Sequence, residues 1–228
     1  MAASTPSSPP FSIALFDLDG TLADTEELIT RSHLHALAQE LPSFPATREA
    51  TRPWLGEPLQ ATYERLAPAD PALVARLIAA YRDFNEAQHD ALIREVPGMR
   101  AAIARLASAG VQLAVVTSKR TATALRGLDA CGLRAHFPVV VGVEQVAQHK
   151  PHPAPALEAL RRLGAAPGTH VAFVGDAPSD VACGHAAGCG ASIAVEWSAL
   201  ERARLEAERP THWAEDAGAL VRILLGGE

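Results

Sequence analysis

The residues Phe16-Asp17-Leu18-Asp19-Gly20-Thr21-Leu22 turn an apolar run into a pair of acids. Ile13 to Phe16 is uniformly apolar, which predicts a buried strand that stops at the first carboxylate. In open α/β sheets, ligands sit at the carboxyl ends of strands. Side chains alternate along a strand, so positions 17 and 19 share a side if the extended geometry persists that far. Gly20 tolerates a sharp exit that lets both carboxylates face one pocket. Like charges held close repel, so the pairing calls for a cation, a shared proton or a functional reason to tolerate it. A solvated loop behind a strand would read the same over this stretch alone, and the remaining chain separates the two.

Beyond Pro97-Gly98 the pattern alternates. Helices are predicted over 98–109, 121–130, 153–163 and 179–187, with strands over 111–117, 138–142, 170–175 and 190–195. The strand segments are short and apolar, as sheets covered on both faces require. Strands alternating with helices give an α/β fold built on a doubly wound parallel sheet with right-handed crossovers. An amphipathic helix near 215–225 closes the chain. The region from about 24 to 93 differs, with apolar residues at helical spacing over 24–41 and further helical segments over 58–66 and 71–89. It holds no convincing strand and reads as a helical unit inserted behind the first one. The resulting division is a disordered tail over 1–10, an α/β core over 11–22 and 94–228, and a helical insertion over 23–93.

Composition narrows the class. Of the 228 residues 48% are apolar and 20% charged, which suits a sizeable buried core. A net charge of −6 argues against a general nucleic-acid or anionic-membrane surface. An anionic ligand would therefore need local attraction from a metal, a lysine or helix amino termini. Cys131, Cys183 and Cys189 form no disulfide framework and fit a reducing, cytoplasmic setting. MAASTPSSPP lacks the basic and apolar regions of a secretory signal, and no run reaches the length of a membrane span.

Chemistry collects where the predicted strands finish. The first ends in Asp17 and Asp19, the next in Thr117-Ser118-Lys119, and the strand over 170–175 in Gly175-Asp176 with Asp180 close behind. His149-Lys150-Pro151 precedes a helix after the remaining central strand. Asp17, Asp19, Asp176 and Asp180 on one rim, with few soft ligands, suit a hard divalent cation, Mg²⁺ before others. Thr117 and Ser118 at a helix start offer a hydroxyl and N–H groups to an anion, and Lys150 a point charge. Cation, oxyanion donors and a carboxylate are the parts of phosphoryl transfer. No Gly-rich nucleotide motif is present.

These motifs, in this order, resemble the haloacid dehalogenase superfamily, and the insertion after the first resembles its helical-cap subgroup. The resemblance spans nearly the whole chain beyond residue 10. It is nearer to phosphoglycolate phosphatases and bacterial pyrophosphatases, through Trp54-Leu55-Gly56-Glu57-Pro58-Leu59 and the segment from Val174 to Cys189. It implies a Rossmann-like core and a metabolite phosphatase working through an aspartyl-phosphate. Asp17 is then the nucleophile and Asp19 the acid and base. Mg²⁺ is held by Asp17, the Asp19 carbonyl and Asp176, with Asp180 supporting the metal's water shell. Thr117, Ser118 and Lys150 hold the phosphoryl group. An acid at position 19 favours hydrolysis over dehalogenation. The substrate is a small phosphorylated metabolite, phosphoglycolate first and inorganic pyrophosphate second. A phosphosugar mutase uses the same intermediate and is the alternative enzyme. A binding protein on a retired scaffold is the non-catalytic one, against which the intact acids and lysine argue.

Secondary readings complete the inventory. Arg52 and Trp54 lie in the loop that, by resemblance, covers the site, where Arg52 could meet an anionic substrate. Lys119 either adds positive potential beside the anion-binding turn or caps a solvated helix, with the second reading preferred, and His33 and His35 are read as solvated residues of the first inserted helix in preference to facing the site. Cys183, His185 and Cys189 read as ordinary residues at a helix end in preference to a zinc site, because positions 183 and 185 point to different sides of a helix.

Overall fold

The structure, a computed structural model, describes residues 9–227. The tail expected over 1–10 thus lies, apart from Pro9 and Pro10, outside the described residues. The first strand, β1 (Ile13–Phe16), leads through the short β2 (Ala23–Asp24) into a helical segment. That segment comprises α1 (Glu26–Glu40), α2 (Arg48–Thr51), a 3₁₀ turn at Arg52–Trp54, α3 (Leu59–Leu66) and α4 (Pro71–Leu92). After β3 (Arg94–Glu95) the elements alternate: α5 (Met99–Ser108), β4 (Gln112–Val116), α6 (Thr121–Ala130), β5 (Val139–Val141), α7 (Ala154–Leu163) and β6 (Val171–Gly175). The chain ends with α8 (Pro178–Ala186), β7 (Ala191–Val195), α9 (Arg202–Glu206), β8 (His212–Ala214) and α10 (Ala217–Leu225).

Six of these strands form one sheet in the order β5-β4-β1-β6-β7-β8, every pairing parallel. The apolar runs are explained by cover on both faces. Ala14 and Phe16 of β1, with Val115 and Val174, face a layer closed by Met99 and Ile103 of α5 and by Leu220 and Leu224 of α10. Ile13 and Leu15, with Ala114, Val116 and Phe173, face the layer of Ala156 and Leu160 on α7 and Cys183 on α8. The chain runs outward from β1 through β4 and β5, then returns to build β6, β7 and β8 on the other side. β1 is therefore the switch point, where a crevice opens at the strands' carboxyl ends.

The segment between β2 and β3 has its own apolar cluster, built on Leu37 of α1, Tyr63 of α3 and Leu77 and Tyr81 of α4. Its ends are tied together, since β2 pairs antiparallel with β3 through Ala23 opposite Glu95 and Asp24 opposite Arg94. This pair corrects the strand-free reading of 24–93 at its first residue. Two paired residues are too few to show alternation, and their partner lies far along the chain. Among the described residues, no helix is long and apolar enough to cross a membrane.

His33 departs from the solvated reading. It is 1% exposed, with its ring against Trp54, Tyr63 and Tyr81. Its Nδ1 lies 2.9 Å from the Tyr63 hydroxyl, within hydrogen-bond distance. Burial, with the Lys119 charge nearby, lowers its pKa to about 3. The unfolded chain takes up this proton below pH ~6.5 and the folded one does not, so stability falls as the pH drops from there toward 3. The slope from this one group is about 1.4 kcal/mol per pH unit. Urea denaturation at pH 7.5 and 5.5 is expected to show a pH-dependent loss smaller by about 1.4 kcal/mol in His33→Asn than in the parent. Equal losses in the two proteins would remove His33 as the cause.

Candidate active site

The carboxyl ends of β1, β4 and β6 meet at the switch point, and each delivers polar groups. Asp17 continues the ladder, its N–H donating to the Val174 carbonyl at 2.9 Å. The chain then folds back on itself. The Leu18 carbonyl accepts from the N–H groups of Leu22 and Ala23, both at 2.9 Å, and Gly20 N–H donates to the Ala23 carbonyl at 2.8 Å. Gly20 sits at φ 71°, and a Cβ there would fall 2.2 Å from Asp176 Oδ2. Glycine is thus required twice, for the turn and for the close approach of the Asp176 carboxylate.

Lys150 organises the acids. Its Nζ lies 2.6 Å from Asp180 Oδ1, 2.9 Å from Asp17 Oδ1 and 3.3 Å from the Val116 carbonyl, all in buried surroundings. The contact with Asp17 is an ion pair at an angle that leaves Oδ1 without an aligned hydrogen bond. Asp180 is fully committed, because its Oδ2 accepts from the Ala177 N–H at 3.0 Å. Asp176 accepts only a long 3.5 Å bond from Thr21 Oγ1 on its carboxylate, while its backbone carbonyl takes the Ser198 hydroxyl at 2.7 Å. Burial raises the Asp17 carboxyl to about 7, against the opposing pull of Lys150 and with help from Asp180 and Asp19. Asp176 is also raised, by burial first and then by Asp180 and Asp17. Burial disfavours the Lys150 ammonium, but Asp17 and Asp180 outweigh it and hold its pKa above the ordinary value.

Asp19 is held apart from that cluster. Its Oδ2 pairs with Lys119 Nζ at 3.1 Å, and its Oδ1 is buried without a partner. Lys119 therefore does not cap a solvated helix. The Thr117 hydroxyl accepts from the Lys119 N–H at 3.2 Å, and this turn aims the side chain at Asp19. Ser118 donates at 3.4 Å to the Gly56 carbonyl, so the inserted segment touches the turn. Asp19, Gly20 and Asp176 line a cavity of about 20 Å³ with Thr25, Glu26, Ile29, Leu55, Gly56 and Ala199. That is room for about one water. Arg52 and Trp54 are not among its lining residues. Arg52 Nε donates to the Ala199 carbonyl at 2.7 Å, and Trp54 packs on His33 and Phe44.

The residues fit a divalent cation. Oxygens of Asp17, Asp176 and Asp180 lie within 4.8 Å of one another, and the donors are all hard. With all four carboxylates ionised, the ammonium groups of Lys119 and Lys150 leave two negative charges for one such ion to balance. Asp17 and Asp176 have coordinating capacity to spare, whereas Asp180 already serves Lys150 and the Ala177 N–H. Cys183 is buried in a core layer, its thiol donating to the His152 carbonyl at 3.3 Å, with no role in this cluster.

Trp197 and Ser198 were not expected from sequence, and Thr21 stood in the first motif without an assigned role. Trp197 Nε1 donates to the Thr21 carbonyl at 3.3 Å, so the loop after β7 braces both the first turn and Asp176. Trp197 and Ser198 follow a predicted strand, and applying the strand-end rule to β7 would have found their positions.

A model of the haloacid dehalogenase-like hydrolase family matches residues 14–195. The chain belongs to this family. A pyrophosphatase PpaX from Bacillus cereus is 38% identical over 210 residues, covering 92% of this chain and 94% of that protein. A crystal structure described as a predicted phosphoglycolate phosphatase from Haemophilus somnus matches with TM-score 0.82 at 24% identity, over 94% of this chain and 98% of that one. A predicted phosphatase from Clostridium acetobutylicum gives TM-score 0.84 at 23% identity, over 95% and 99%. The two structures establish the α/β fold. This haloacid dehalogenase-like hydrolase is a phosphatase-type enzyme.

Proposed function

We propose that the protein is a Mg²⁺-dependent phosphatase whose substrate is inorganic pyrophosphate, cleaved through an aspartyl-phosphate on Asp17. The supporting observation for the chemistry is the division of the acids. Asp17 sits beside Lys150 among buried carboxylates, while Asp19 pairs instead with Lys119 and lines the cavity. Support for the substrate is the near full-length likeness to a pyrophosphatase. The phosphoglycolate reading, first on sequence, rests on structures too distant to carry a substrate.

In this reading a bound Mg²⁺, held by Asp17, the Asp19 carbonyl and Asp176, supplies charge neutralisation for an anionic nucleophile meeting an anionic phosphate. Asp17 attacks phosphorus as the bond to the leaving oxygen breaks, and Asp19 gives that oxygen a proton. Asp19 then takes a proton from the water that attacks phosphorus and frees Asp17. Lys150, Thr117 and Ser118 hold the phosphoryl oxygens, for which Lys150 must share donors now spent on Asp17, Asp180 and Val116. Residues 23–93 act as a cap. The water-sized cavity beneath them implies that this segment lifts to admit substrate and, once closed, excludes bulk water.

A phosphate-release assay over pyrophosphate, phosphoglycolate and sugar phosphates tests the proposal. Pyrophosphate is expected to be the best substrate, with activity lost on chelation and restored by Mg²⁺. Activity that survives chelation refutes the metal role. A protein that isomerises a sugar phosphate and releases no phosphate is a mutase.

A further inference from the structure

The cavity presents an electrostatic problem. Its lining carries the acids Asp19, Glu26 and Asp176 and no basic residue. A leaving group with its own negative charge would be repelled there unless a cation turned toward it. Lys150 is occupied on the phosphoryl side by Asp17 and Asp180. Arg52 is exposed and bonded to the Ala199 carbonyl. Lys119 is placed differently. Its Nζ is 3.1 Å from Asp19 Oδ2, and the two side chains are only 12% and 14% exposed. Among the described residues it pairs with nothing else, and an ammonium has three donors.

Geometry then follows from the role of Asp19. A leaving-group acid stands one hydrogen bond from the leaving oxygen. A lysine one hydrogen bond from that acid lies about 6 Å at most from the leaving oxygen if both meet one carboxylate oxygen and roughly 8 Å at most if they meet different ones, within reach of the group attached to it. We propose that Lys119 is a specificity-determining residue that binds the anionic group on the leaving side of the substrate. It thereby selects leaving groups that carry their own charge, such as the second phosphate of pyrophosphate, over uncharged alcohols. The inference rests on the phosphatase reading above, in which Asp19 protonates the leaving oxygen.

The test compares kcat/KM for the parent, Lys119→Met and Lys119→Arg on pyrophosphate, phosphoglycolate and ethyl phosphate, whose uncharged alcohol leaving group needs a proton as glycolate does. Lys119→Met is expected to lose about 10- to 100-fold more on the anionic leaving groups than on ethyl phosphate, mainly through KM. Lys119→Arg should keep most of the preference, which separates lost charge from a damaged fold. Equal losses on phosphoglycolate and ethyl phosphate would mean that Lys119 only positions Asp19, and unchanged kinetics would give it no role; either overturns the inference. A parent enzyme inert to pyrophosphate but active on phosphoglycolate removes the pyrophosphate reading, and the Lys119 comparison is then decided on phosphoglycolate. A parent that turns over ethyl phosphate and neither anionic substrate overturns both.

Discussion

Asp17→Asn is expected to lower kcat by ~10⁴-fold or more while the protein stays folded. The amide keeps the shape of the carboxylate and loses the nucleophilic oxygen. Burial, helped by Asp180 and Asp19, pushes the Asp17 carboxyl up to about 7 against the pull of Lys150, so the folded protein holds this charge at a cost. Removing it relieves repulsion with Asp180 and Asp19, and Lys150 keeps its 2.6 Å contact with Asp180. The unfolding midpoint should therefore stay level or rise as activity disappears. Phosphate release and thermal unfolding on the same sample give both readouts. Retention of more than a few per cent of the parent rate would strip Asp17 of the nucleophile's role. A collapsed midpoint would show that its charge is structural.

The sheet could be read from sequence because β1, β4, β6 and β7 are covered on both faces and so are written almost wholly in apolar residues. β8 pairs only with β7 and runs for three residues, His212-Trp213-Ala214, too short and mixed to stand out from a loop. α9, with five residues, escaped for the same reason. Site residues followed a similar divide. The acids and Lys150 were legible because each follows a strand in an α/β order, which places them before any coordinate is known. Lys119 was not, because its direction depends on the turn closed by the Thr117 hydroxyl. The strand-end rule reaches the positions of Trp197 and Ser198 but not their roles, because their acceptors are the backbone carbonyls of Thr21 and Asp176, which residue type does not announce. His33 lies on a helix whose spacing is the same whether that residue meets water or the Tyr63 hydroxyl.

Lys150→Met is expected to damage stability and activity together, in a way that separates the two. Its ammonium is the cation shared by Asp17 and Asp180, and Asp176 lies in the same buried group. Methionine fills much of the volume and returns none of the charge. Breaking one side of a buried ion pair costs about 3–5 kcal/mol, because the partner stays behind uncompensated. For a chain of this size that is roughly a 10 °C fall in the unfolding midpoint. Added Mg²⁺ should recover part of the fall, since a divalent ion bound by the carboxylates stabilises the folded state that holds them together. It should not recover turnover, because the phosphoryl oxygens would still lack the Lys150 donor. Calorimetry with and without Mg²⁺, beside a phosphate-release assay, separates the two effects. An unchanged midpoint in the absence of divalent cations would mean that the acids need no lysine to stay buried. Restored turnover would mean that the metal alone handles the phosphoryl charge, and Lys150 would then keep only its structural part.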